Sequence, residues 1–221
     1  MTPIPHRARA TAPGNPEAGI SVIELIVALG IFTFVVAIFM SGVVVMTRNT
    51  VRSEVTADAG DDLRTVFQRL DKQVRYADAM NFPGVSGTGS AYVEFRTPAT
   101  VAASGVETCT QWRWVPSTQR LEVRSWRSSA ATLPPFVLMA QDVVDDTSVG
   151  LYPFEMTPAT PQHPRQSLTV TLLVEAVQDR EVSTGSTFVA RNSSVESPGN
   201  TDTNGDGVSD LPACWRSGVR P

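Results

Sequence analysis

The sequence predicts an α+β chain: one long N-terminal helix, apolar in its first half and amphipathic in its second, packed on an antiparallel β-sheet domain. Three observations predict it. Residues 25–46 carry no charged side chain. Apolar residues then recur at threes and fours as far as residue 77. From residue 91 onward, short alternating or β-branched runs are separated by Gly- and Pro-rich stretches, the pattern of an antiparallel sheet.

Residues 1–19 are polar and Pro-rich, with Arg7 and Arg9, and look like a leader rather than a domain. An ordinary secretory signal is cut after its apolar core at a small-x-small site. Here the step from polar to apolar residues, at Gly19–Ile20, lies before the core rather than after it. The leader's arginines favour a cytoplasmic N-terminus. Arg48 and Arg52 beyond the core weaken that bias.

Residues 20–46 are the expected transmembrane and fibre-core helix, and their charge-free part, residues 25–46, matches the ~20 residues that cross a bilayer as a helix. Glu24 is the one ionisable side chain between Glu17 and Arg48. A charge inside such a segment costs about 2.5–3.5 kcal/mol at mid-helix, and less near the end. Nothing in the segment offers it a partner, so the natural partner is on another chain. The alternative is a carboxylate that snorkels to the headgroups. Gly30 and Gly42 would permit close helix approach in lipid, or are simply tolerated there.

Residues 47–80 continue the helix. Val51, Val55, Ala59, Leu63, Val66, Leu70 and Val74 form one stripe between charged residues. No Pro falls between Pro16 and Pro83. A continuous helix of ~55 residues would be ~80 Å long. Its greasy half cannot be buried by its own domain and must lie in lipid or among copies of itself.

Residues 81–195 form the β domain. Residues 81–90 are a breaker-rich loop. AYVEFRT is an alternating strand. CTQWRWV and RLEVRSW flank PSTQ as a β-hairpin, which puts Trp112 and Trp114 on one face, in a core or a subunit contact. Residues 136–144 are an apolar run of either type. Residues 149–156, 167–177 and 186–190 are further strand candidates, and the Pro-rich stretch 157–166 is a loop.

Residues 196–221 are a polar tail. Cys109 and Cys214 are the only cysteines. An even count outside the cytoplasm is compatible with one disulfide, and two buried free thiols are the alternative. In the tail, Asp202, Asn204 and Asp206 alternate, followed by Gly207 and Asp210. This is the first half of an EF-hand-type loop, with hard oxygen ligands for Ca²⁺, including the Val208 carbonyl, and Gly for the turn. The Glu expected at the twelfth position is Ala213. The loop resembles the short calcium loops of dockerins and thrombospondin-type repeats. A surface turn is the alternative.

Gly19, then apolar Ile20 and Ser21, then Glu24 at the fifth position after the cut, then an apolar helix, resembles the prepilin cleavage signal. That signal marks type IV pilins and type II secretion pseudopilins. Ile20 and Ser21 stand where the family most often has Phe and Thr. The resemblance implies a pilin-like fold and cleavage between Gly19 and Ile20 by a prepilin peptidase. It also implies N-methylation of Ile20 and a role for Glu24 in assembly with other pilin or pseudopilin subunits. It places the chain as a single-pass protein of the bacterial cytoplasmic membrane, with its C-terminal domain outside. FQRLDKQVRYAD and the hairpin CTQWRWVPSTQRLEVRSW look most like J-type minor pseudopilins or W-type minor pilins.

Composition narrows the classes. The net charge is −4, with 42% hydrophobic residues. A mildly acidic chain without a basic tract argues against direct nucleic-acid binding. His6 and His163 are the only histidines, and no nucleophile elbow, P-loop or dinucleotide signature sits in context. The expectation is therefore no enzyme and no organic cofactor. A monomeric anchored binding domain, with or without calcium, is the other reading.

Overall fold

A computed structural model describes residues 21–146, 152–175 and 181–214. The chain divides between Asn49 and Thr50 into two compact units. The leader, Gly19 and Ile20 lie outside the described residues.

Helix α1 spans Val22–Arg75. In the first unit its apolar side chains are exposed all round, from Val22 at 74% to Met46 at 72%. Among the described residues this is the one helix long and apolar enough to cross a membrane, and none of its most apolar stretch is buried.

Among its described residues the second unit holds the rest of α1 and ten strands: β1 (Ala79–Met80), β2 (Gly84–Val85), β3 (Ala91–Thr97), β4 (Thr108–Val115), β5 (Arg120–Arg127), β6 (Val137–Ala140), β7 (Val143–Val144), β8 (Phe154–Thr157), β9 (Ser167–Glu175) and β10 (Glu181–Val189). They form two antiparallel sheets rather than one. Sheet A has the order β1-β3-β4-β5-β6, with β2 also on β3. Sheet B has the order β10-β9-β7, with β8 also on β9.

The amphipathic stripe is buried from Leu63 onward. Leu63, Val66, Leu70, Val74 and Ala77 are all at most 3% exposed. Each fully buried Leu or Val contributes about 1.5–3 kcal/mol. The stripe starts later than its periodicity suggests, because Val51 is half exposed. The side chains of Val55 and Ala59 lie outside the description. The helix ends at Arg75, short of residue 80. There the sheet captures the chain: Arg75 O accepts from Arg191 N, and Asp78 N donates to Arg96 O.

The stripe joins one core with both sheets, including Phe95, Trp112, Leu121, Phe154, Leu168 and Phe188. Trp112 is fully buried, and its Nε1–H donates to Gln73 Oε1 at 2.9 Å. Trp114 Nε1–H donates to the Val143 carbonyl at 2.8 Å, tying sheet A to sheet B. Trp112 and Trp114 therefore serve the core. The apolar run 136–144 resolves into two strands in different sheets, joined through Asp142 at φ 57°.

Other elements shift from expectation. The loop 81–90 includes β2. The strand expected at 149–156 is Phe154–Thr157, and residues 147–151 lie outside the described set. The last strand starts earlier than residue 186, at Glu181, because it pairs with β9 along its whole length.

Candidate functional site

Glu24 lies in the first turn of α1. The helix starts there because Ser21 O accepts from Leu25 N at 3.1 Å. A carboxylate at this end suits the positive pole of the helix dipole. Its neighbours Ile23 and Leu25 are 65% and 63% exposed. Among the described residues the Glu24 carboxylate has no hydrogen bond or ion pair. The arrangement is an anion at the head of an exposed apolar rod, and it can accept a cation from outside the chain.

The described part of the polar tail, residues 196–214, is irregular but not loose. Cys109 and Cys214 are disulfide-bonded, with Cα atoms 5.9 Å apart. The bridge lies on the face of sheet A turned away from α1, against Trp126 and Leu133. Further bonds fasten residues 199–213. Ser209 Oγ accepts from Phe82 N at 3.0 Å. Asn200 bridges both backbone groups of Ala159, at 2.7 and 3.0 Å. Gly199, at φ 83°, lies so close to the Met80 carbonyl that any side chain there would collide with it.

Beneath the tail lies a buried polar group that sequence reasoning missed. Glu94 is 1% exposed. It accepts from Asn81 Nδ2 at 3.0 Å and Gln111 Nε2 at 2.8 Å. Gln111 Oε1 in turn accepts from Arg124 Nε at 2.6 Å. Desolvation, then repulsion by Arg113, pushes the Arg124 pKa below its ordinary value, and the Glu94 charge opposes that shift. Arg113 and Arg124 both lie over the Phe136 ring, at 3.6 and 4.2 Å from its centroid.

The loop with Asp202, Asn204, Asp206, Val208 and Asp210 is wound on its own backbone. Asp202 Oδ1 accepts from Gly205 N and Asp206 N, and Oδ2 from Gly207 N, at 2.8–3.1 Å. Asp206 Oδ1 accepts from Val208 N at 2.8 Å. Asp210 Oδ2 takes both the hydroxyl and the N–H of Thr203, and these bonds hold its pKa below the usual carboxylate value. Among the described residues no three His, Cys, Asp or Glu side chains converge to hold a metal ion. The donor set is nonetheless all oxygen, the chemistry a hard cation takes.

No family model, no characterised protein and no solved structure matches this chain.

Proposed function

We propose that this chain is a prepilin-type structural subunit, a minor pilin or minor pseudopilin. A prepilin peptidase cuts it between Gly19 and Ile20, and Ile20 becomes the N-methylated terminus. The apolar half of α1 first anchors it in the bacterial cytoplasmic membrane, with the β domain outside. The same helix then packs among other subunits in a type IV pilus or type II secretion pseudopilus, where this subunit helps initiate or cap the fibre. Its work is structural rather than catalytic.

The observation that carries this reading is the Glu24 carboxylate, unpaired among the described residues at the head of an unburied apolar helix. A freed α-amine is a cation with a pKa of about 8. Attraction in a low-dielectric setting is strong, but it must exceed the cost of desolvating both groups. An amine from a neighbouring subunit meets that demand and fixes the axial register of the two helices. The α+β layout, with an apolar helix preceding antiparallel sheets, also supports the reading.

N-terminal sequencing with intact-mass measurement on protein from native membranes tests it. A methylated terminus at Ile20 is expected. A terminus at Met1 or Thr2 would overturn the assignment.

A calcium-dependent role for the tail is a second reading. The observation favouring it is the winding of residues 202–207 around the Asp202 carboxylate, which puts alternate oxygen donors on one loop. Calcium added to the full chain should then raise its melting temperature, and Asp206→Ala should abolish the rise. Identical melting with calcium and with chelator would dismiss the reading.

A further inference from the structure

A cavity of about 460 Å³ opens between the last turns of α1 and the loop that joins β3 to β4. Its size lies within the range of small-ligand pockets, roughly 300–1,000 Å³. Among the described residues two cations line it, Arg69 and Lys72, and no carboxylate does. Both are exposed, and among the described residues neither has an ion-pair partner. Arg69 donates only to the Met139 sulfur, a weak acceptor, at 3.1 Å. The nearest acid on the helix, Asp71, is engaged by Arg75. Lys72 is the only lysine in a chain that otherwise uses arginine.

The remaining lining adds donors and an apolar wall. Gln73 Oε1 is committed to Trp112, which leaves the Gln73 amide NH₂ as the group still able to donate. Thr110 and Ser125 contribute a hydroxyl pair 3.0 Å apart. Ala102 and its neighbours Val101 and Ala103 supply the apolar side. Unpaired cations and amide donors beside an apolar wall select an anion with an apolar body.

We infer that this cavity is a binding site for an organic oxyanion, a phosphate or carboxylate carried on an apolar group. The inference is independent of how the apolar helix is used. Arg69 supplies a guanidinium fork, Lys72 a point charge, and the Val101–Ala103 wall contacts the body of the ligand.

The single lysine makes the test direct. The full chain is placed in phosphatidylcholine nanodiscs, and reductive dimethylation of Lys72 is followed by peptide mass spectrometry. One arm titrates phenyl phosphate, with benzyl alcohol as the neutral control. The other replaces part of the phosphatidylcholine with phosphatidylglycerol. Saturable protection of Lys72 is expected in at least one arm, and which arm shows it separates a free anion from a lipid headgroup. Arg69→Gln should weaken that protection roughly tenfold or more, the scale of one charged hydrogen bond.

Protection in neither arm, equal protection by benzyl alcohol, or no effect of Arg69→Gln would overturn the inference. So would protection that rises with protein concentration and needs no added anion, because the cations would then be meeting carboxylates of another copy.

Discussion

Asn81 Nδ2 donates to Glu94 Oε2 at 3.0 Å, while Asn81 Oδ1 accepts from the backbone of Ala213. Both side chains are 1% exposed. One amide thus joins the buried acid of β3 to the end of the described chain. Removing it leaves a carboxylate oxygen short of a donor and a buried N–H without an acceptor, each costing about 1–3 kcal/mol. Asn81→Ala should therefore destabilise the second unit by about 2–6 kcal/mol. In urea titrations of the full chain in micelles, the midpoint should fall with little change in slope. An unchanged midpoint would show that the pair carries no stability.

The Cys109–Cys214 bridge closes a separation of 105 residues. Constraining a loop of that size is worth about 4–5 kcal/mol in the chain-entropy model. Cys109→Ser with Cys214→Ser should lower stability by up to this amount. It should also expose Trp126, which packs against the bridge and is 6% exposed. Acrylamide quenching of tryptophan fluorescence should rise before global unfolding. Unaltered quenching would mean that the hydrogen bonds at Asn81, Asn200 and Ser209 hold the tail without the bridge.

Alkaline stability should track Tyr152. Burial pushes its phenol up to about 12, opposed by the N–H of Leu173, which donates to the hydroxyl oxygen at 3.1 Å. The neutral form is favoured in the folded state. The resulting stabilisation is complete below the unfolded value of about 10 and fades as pH rises through about 12. Denaturant midpoints should be level up to pH ~10 and fall between ~10 and ~12. Tyr152→Phe should flatten that fall, at a cost of about 0.5–1.5 kcal/mol at neutral pH for the lost hydrogen bond. An equal fall in both proteins would move the alkaline effect elsewhere.

The helix was legible because its signal is compositional: a charge-free run and then a stripe need no tertiary information. The β4–β5 hairpin was legible for a local reason. The chain breaks at PSTQ, and Gln119 at φ 52° closes the turn. Glu94 was not legible. Alternation along β3 places it opposite Val93 and Phe95, on the face a lone sheet would give to water. The cover over that face is a stretch with no periodicity, held by side chains such as Asn81 and Ser209 rather than by a ladder. The run 136–144 was ambiguous for the same reason, since only its contacts divide it between two sheets. The cavity cations had one signal that counting could have found, the solitary Lys72.

Replacing Glu24 by Leu separates anchoring from assembly. The substitution makes the apolar run longer and removes the one charge that resists burial, so membrane insertion should be as efficient as before or better. The second unit should keep its melting profile, because Glu24 lies outside it. Entry into a fibre with partner subunits should drop severely, since a neighbouring amine would meet no counter-charge and would stay desolvated without compensation. Glu24→Asp should recover part of the entry, because the charge is kept but withdrawn by one methylene. Crosslinking of membranes expressing the partner subunits, followed by sheared-fibre fractionation, measures each step. Equal recovery of Glu24→Leu and the parent chain in the fibre fraction would refute the assembly role of this carboxylate. The same result with both chains absent from fibres would instead favour the anchored monomer.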